Sequence, residues 1–400
     1  MVKSPEHICL LCKGSRALCG HKDCPRLAAV RVAPKINEAI DKDFFGPSPS
    51  VFVGRVGYPN INVGPMGTFE AMPYQNDNPP EWLSLDYSTI IELRTTLLRS
   101  KKKQNIFSKN YFIDENQQLA LASKPTDIEM NFTKKPEYKV TFSEYIRPMG
   151  PSASLEKLRI TENPRIDRKV DYIVNDDLKA AEQAVSLFNT NIDVYKITNI
   201  LSIGSLGLEK NKKLVPTRWS ITATDDILGK NLIERVKDYK SVNDFLVFES
   251  NKLDNHFLVM LMPGSWEFEN FEAWAPGGIW TQGLTSSFIT QEYEPWRGRT
   301  KYAEKQAGGY YASRLGVVEA LNEFRRQARV VVFREVNEGY VVPLGVWQVR
   351  ENVRNALREM PMKFDTRESA LEHIDSKLQL PIENYIKQSR MLRQARLSDY

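Results

Sequence analysis

Four cysteines fall within sixteen residues of this 400-residue chain, as Cys9, Cys12, Cys19 and Cys24 in the spacing C-x2-C-x6-C-x4-C, and the chain has no others. Thiolates are soft ligands suited to a tetrahedral ion, and a two-residue gap lets both sulfurs of one knuckle meet the same metal. Gly14 and Gly20 stand close behind Cys12 and Cys19, where tight turns are needed. The pattern predicts a structural Zn2+ site of four thiolates, closed to water and therefore holding the fold rather than doing chemistry. Two disulfides, disfavoured in a reducing compartment, and an iron-sulfur cluster are the other uses of four thiolates. His21 could replace one cysteine as a ligand.

The second candidate is the end of the chain, Gln394-Ala395-Arg396-Leu397-Ser398-Asp399-Tyr400. It matches the sliding-clamp-binding pattern Q-x-x-h-x-x-a, with Gln394, aliphatic Leu397 and aromatic Tyr400. A 3₁₀ turn sets residues three apart on one side, so Leu397 and Tyr400 would enter one apolar pocket while Gln394 hydrogen-bonds beside it. Burying two such side chains is worth roughly 1.5 to 3 kcal/mol each before ordering costs. The competing reading is an ordinary terminal helix with Leu397 and Tyr400 folded onto the body.

Weaker candidates lie between. Arg55 flanks a Gly/Pro-rich stretch, Gly57 to Pro65, where exposed backbone N–H groups could receive a phosphate; a rigid surface loop is the alternative. Trp266, Trp274, Trp280 and Trp296 crowd one region, ahead of Arg297, Arg299, Lys301 and Tyr302. Arg297, Lys301 and Tyr302 with Gly308-Gly309 make a candidate phosphate or nucleotide pocket, with core packing as the ordinary use of tryptophan. Glu267, Glu269 and Glu272 are carboxylates that could hold a divalent metal for phosphodiester cleavage; solvated strand-face carboxylates are the commoner meaning.

These residues need elements to position them. Val51 to Val56 reads as a strand running into that Gly/Pro-rich loop. Ser84 to Lys103 has helical apolar spacing and ends in the run Arg99-Ser100-Lys101-Lys102-Lys103, cations that suit a helix C-terminus or the DNA backbone. Asn175 to Asp177 and Asp225-Asp226 read as helix caps. Phe245 to Glu249 with Phe257 to Met262 reads as a hairpin, and Arg329 to Glu335 with Val341 and Val342 as another. A helix from about Ala303 to Arg326 carries Gly308-Gly309 as an interruption. Segregated helices and hairpins predict an α+β fold. The expected division is a four-cysteine finger over 1–35, a body over 36–380 and a flexible basic C-terminal tail over 381–400.

Composition sets the class. With 42% apolar and 26% charged residues the chain is an ordinary globular protein, and no apolar run is long enough for a bilayer, so no membrane partner and a cytoplasmic place are expected. Net charge is only +5, but residues 1 to 35 carry seven basic against two acidic residues and 377 to 400 carry five against two. The basic excess sits at the two ends, where weak contact with DNA phosphates is expected.

CLLCKGSRALCGHKDCP (9 to 25), VFVGRVGYPNINVGP (51 to 65), ENPRIDRKVD (162 to 171), SWEFENFEAWAPG (265 to 277), YAEKQAGGYYASRLGVVEAL (302 to 321) and QARLSDY (394 to 400) resemble the archaeal Nre family of DNA repair proteins. Zinc-bearing members of that family carry a four-cysteine finger at one end and a motif for the clamp PCNA at the other. The resemblance implies a role in the DNA damage response through PCNA, near the nucleoid and among other DNA repair proteins, with no established reaction to carry over. A clamp-delivered metal-dependent nuclease or nucleotide-binding enzyme is the alternative. The usual second aromatic of the clamp motif is absent after Tyr400, which implies a weaker hold.

Overall fold

The computed structural model describes residues 24–68, 77–138, 149–274, 288–340 and 342–393, together with Cys12, Arg16 and Leu18. The chain divides into an N-terminal unit, Pro25–Leu228, and a C-terminal unit, Gly229–Tyr400, with which Met1–Cys24 groups. The architecture is α+β: two six-stranded sheets with twelve α-helices among the described residues.

The N-terminal unit runs α1 (Pro25–Ala39), β1 (Asp43–Ser48), β2 (Ser50–Val53), β3 (Asn60–Gly67), α2 (Pro79–Trp82), α3 (Tyr87–Thr95), β4 (Leu98–Asn105), α4 (Tyr111–Leu121), β5 (Thr126–Phe132) and β6 (Ser152–Ile160). Helices α5 (Arg168–Asn175), α6 (Ala180–Asn189), α7 (Val194–Ser202) and α8 (Thr217–Val236) follow, the unit boundary falling within α8. Its sheet has the order β1-β5-β6-β4-β3-β2, antiparallel except for the β4–β6 pair. Alternate residues Val51, Val53, Ile61, Val63, Ile128 and Met130 enter one core cluster with Phe112, Ile113 and Leu119 of α4.

Three expectations fail here for local reasons. The helix read over Ser84 to Lys103 stops at Thr95, after a start capped by the Asp86 side chain on the Thr89 N–H, 3.0 Å. Its basic run is instead strand β4, so Arg99, Lys101 and Lys103 share one face while Lys102 turns back over the Phe112 ring. The stretch read as a loop from Gly57 to Pro65 is mostly strand β3: a Cβ at Gly64 would lie 2.3 Å from Ser100 Oγ, so glycine is there for close strand approach rather than for a turn. Asp176 closes α5 instead of opening the next helix, and Asp225 and Asp226 lie inside α8.

The C-terminal unit runs β7 (Phe245–Lys252), β8 (Asn255–Met262), β9 (Glu267–Trp274), β10 (Phe288–Glu294), α9 (Gly308–Phe324), β11 (Arg329–Val336), α10 (Trp347–Arg358), β12 (Met362–Phe364), α11 (Arg367–Lys377) and α12 (Ile382–Ile386). Its sheet has the order β10-β9-β11-β8-β7-β12. The expected β7–β8 hairpin is present, turning at Leu253 and Asp254, both at positive φ. The second hairpin is not. β11 pairs antiparallel with β8 and parallel with β9, as a strand buried along its whole length requires two neighbours. Val342 is in no strand and position 341 lies outside the described residues. One face of the sheet packs Leu258, Met260, Phe271 and Phe333 against Leu371, Ile374, Tyr385 and Met391; α9 and α10 cover the other.

Candidate functional site

Strand β9, sequence EFENFEAW, is buried from Glu267 to Ala273 between β10 and β11. The two-residue period of a strand puts Glu267 and Glu269 on the face toward α12 and Glu272 on the face toward α9. The three glutamates are therefore not one cluster, and they are buried rather than solvated. Glu267 accepts from Arg329 Nε at 3.3 Å and from the Tyr293 hydroxyl at 3.2 Å. Glu272 accepts from Arg334 Nη1 at 2.8 Å, and Arg334 also reaches Asn255 Oδ1 at 2.8 and 3.0 Å.

Gly308 and Gly309 belong to this arrangement. They open α9 rather than interrupt a longer helix. A Cβ at Gly309 would stand 2.6 Å from Glu272 Oε1, so glycine lets the first helical turn approach the carboxylate. A helix N-terminus favours such an anion. Further along the same face, Glu294 accepts from Arg314 Nη1 and from the Tyr310 hydroxyl, both at 2.7 Å. Burial, reinforced by Glu294, holds the Tyr310 phenol well above its ordinary pKa. Buried charges persist only when matched in this way.

Glu269 differs from its neighbours in what it holds. Oε1 accepts from the Arg390 N–H at 2.7 Å and from Gln291 Nε2 at 2.5 Å; Oε2 accepts from the Met391 N–H at 3.2 Å and from the Ser389 hydroxyl. Ser389 Oγ in turn accepts from the Leu392 N–H at 2.8 Å. A fully buried sheet carboxylate thus clamps the backbone of the last described segment. Tyr385 adds a bond from its hydroxyl to Glu335, 2.9 Å, and Met391 and Leu392 are each 2% exposed. The part of the expected flexible tail from Ile382 to Leu392 is accordingly packed, because its apolar residues complete the core under the sheet. Gln394, Leu397 and Tyr400 lie outside the described residues.

Glu335 also faces His256, which stands 2.9 Å from Glu249 and 3.9 Å from Glu335. Burial works against the imidazolium, yet the hydrogen bonds to Glu335 and Glu249 outweigh it and raise the His256 pKa.

The other expected site residues scatter. Arg55 is exposed on the β2–β3 turn of the N-terminal unit. Arg297, Lys301 and Tyr302 are exposed on the connection from β10 to α9 in the C-terminal unit, Tyr302 stacking on Tyr311 at 5.5 Å. Arg299 is committed to Glu292 at 2.7 Å. Cys12 is buried and Cys24 half-buried, while Cys9 and Cys19 lie outside the described residues. Among the described residues no three His, Cys, Asp or Glu side chains gather as metal ligands, and no helix is long and apolar enough to cross a membrane.

The fold and the end-to-end pattern define a class. This chain belongs to the archaeal Nre family of DNA repair proteins: the model described as Archaeal Nre, N-terminal, matches residues 18–281 and that described as Archaeal Nre, C-terminal, residues 294–400. The chain is 38% identical over 367 residues to DNA repair protein NreA of Archaeoglobus fulgidus, covering 91% of this chain and 92% of that one. It is 35% identical over 391 residues to DNA repair protein NreB of the same organism, 97% of each, and 36% identical over 368 residues to NreA of Haloferax volcanii, 88% of this chain and 86% of that one. No solved structure matches it.

Proposed function

We propose that this chain is a DNA repair factor brought to the double helix by the sliding clamp PCNA, which captures Gln394, Leu397 and Tyr400. The observation that carries the reading is the position of the Q-x-x-L-x-x-Y segment: it begins two residues after Leu392, whose backbone is held through Ser389 to Glu269. Such a root offers the peptide at a fixed place. Seven residues reach at most about 25 Å when extended, so the clamp must come close to the C-terminal unit. Four thiolates, Cys9, Cys12, Cys19 and Cys24, hold a structural Zn2+ in this reading; the burial of Cys12 agrees with a ligand role.

The nuclease alternative draws no support from Glu267, Glu269 and Glu272, which point to opposite faces and already accept from arginines or N–H groups. The test is co-elution with PCNA on a sizing column and titration calorimetry with a peptide of residues 388 to 400. Micromolar binding by the full chain and the peptide, lost in Leu397→Ala/Tyr400→Ala and in a chain ending at Arg393, is the expected result. Equal binding by the shortened chain would overturn it. Metal analysis of the purified chain should find one zinc per molecule, lost on Cys9→Ser/Cys12→Ser.

A further inference from the structure

Three stretches are stitched together at one end of the N-terminal sheet. The Ile106 N–H donates to the Pro59 carbonyl at 3.0 Å, the Leu214 N–H to the Ile106 carbonyl at 2.8 Å, and the Val53 N–H to Thr217 Oγ1 at 3.0 Å. These bonds bring the β2–β3 turn, the end of β4 and the start of α8 to one place. Residues 51–67, 98–113 and 212–224, which supply them, contain nine Lys and Arg and no Asp or Glu.

Several of the nine are engaged. Arg99 and Lys101 donate to the Gly150 carbonyl and the Ser152 hydroxyl, 3.2 and 2.7 Å; Lys102 lies over Phe112; Lys109 and Lys212 close on Glu209, 2.7 and 3.5 Å. Arg55, Lys103, Lys213 and Arg218 are exposed and pair with no carboxylate among the described residues. The same end exposes three aromatic rings: Tyr58 is 45%, Phe107 60% and Trp219 46% exposed. Tyr58 and Trp219 stand 5.2 Å apart with planes tilted by 51°, so they do not close on each other as a flat stack.

Exposed rings interleaved with unpaired cations suit a ligand that has flat apolar faces and regularly spaced negative charge. A duplex offers only the charge, because its bases are stacked inside. We infer that this end of the N-terminal unit binds single-stranded DNA, with bases on Tyr58, Phe107 and Trp219 and phosphates on Arg55, Lys103, Lys213 and Arg218. The inference rests on the reading of the chain as a DNA repair factor and is independent of its capture by the clamp.

The experiment uses the full chain without PCNA, a fluorescein-labelled dT20, a labelled 20-base-pair duplex and a labelled rU20, in anisotropy titrations over a salt series. The expected order is dT20 above rU20 and the duplex, with tryptophan emission quenched on binding. Removing one stacking ring should lower affinity between about fivefold and a hundredfold, so Trp219→Ala and Tyr58→Ala fall in that range while Trp219→Phe retains most of it. Arg55→Ala/Arg218→Ala should reduce the slope of log K against log salt by about 1.4, at about 0.7 per phosphate contact. All four side chains are exposed, so melting points should not move.

Unchanged dT20 affinity in Trp219→Ala/Tyr58→Ala would overturn the proposal. So would tighter binding of the duplex or of rU20, or equal displacement of dT20 by polyglutamate, which would mark a docking face for an acidic protein. Retention of dT20 binding by the chain ending at Arg393 separates this surface from the clamp tail.

Discussion

Replacing Glu269 by alanine tests whether the C-terminal segment is held as described. The side chain is 0% exposed and accepts from two backbone N–H groups, one hydroxyl and one amide. A hydrogen bond to a charged acceptor contributes about 1.5 to 3 kcal/mol net, and the four are not additive, since the freed donors of Arg390 and Gln291, both part-buried, can partly reach water. Breaking a buried charged network by removing one partner typically costs about 3 to 5 kcal/mol. For a unit of this size that corresponds to a fall in melting temperature of roughly 6 to 20 °C. Glu269→Gln keeps the volume and one acceptor but turns an NH2 group toward backbone donors, so about 1 to 3 kcal/mol is expected. Calorimetry gives the first number, and tryptic cleavage after Arg390, timed by mass spectrometry, reports release of the segment. A Glu269→Ala protein that melts like the parent and is cut at Arg390 no faster would refute the anchoring argument. A rise in the parent's melting point with Mn2+, absent in the variant, would return Glu269 to the role of metal ligand.

Two further outcomes follow from the same unit. The raised His256 pKa means that the ion pairs to Glu249 and Glu335 contribute fully below the unfolded value of 6.5 and fade as pH rises through the folded value. Glu249 and Glu335 are lowered, against the effect of burial, by hydrogen bonds, from Lys377 and His256 for the first and from His256 and the Gln379 and Leu380 N–H groups for the second, so their share is lost as pH falls below 4.5. The melting-point gap between the parent and His256→Gln should therefore be larger at pH 6 than at pH 9; a gap that grows with pH would contradict the geometry. Gly309→Ala sets a helix-propensity gain of about 1 kcal/mol against a Cβ placed 2.6 Å from Glu272 Oε1, and because Arg334 holds that carboxylate the variant should lose about 1 to 3 kcal/mol on chemical denaturation.

Much of this was legible in residue order, and the failures share a cause. The β7–β8 hairpin and the α+β class follow from local pattern, which the turn at Leu253-Asp254 respects. The helix expected over Ser84 to Lys103 gives way to a strand after Thr95, and the loop expected over Gly57 to Pro65 is mostly strand, because β3 and β4 are made by each other. Gly64 is needed only because Ser100 lies against it, and neither position signals the other from a distance along the chain. The role of Glu269 was equally hidden: the alternation E-F-E gives its face, but its partners come from residues 389 to 391, some 120 positions later. Gly308-Gly309 did signal close approach, though of a side chain at a helix start and not of a ligand within a helix.

Weak intrinsic affinity for DNA is consistent with this charge distribution once a tether is added. The body between the basic ends is slightly acidic, and only four exposed cations at the aromatic end of the N-terminal unit stand without a carboxylate partner among the described residues. Four phosphate contacts on a single strand give a modest, strongly salt-dependent hold. Tethering at an effective concentration on the order of millimolar would nearly saturate a surface with a dissociation constant of about 10 μM. Under the proposed capture the tail itself can be weak, because tail and aromatic surface each need only micromolar strength when engaged together. Leu397 and Tyr400 lie far along the chain from Tyr58 and Trp219, so the two sets of substitutions can be made singly and together and the coupling between them measured as a double-mutant cycle.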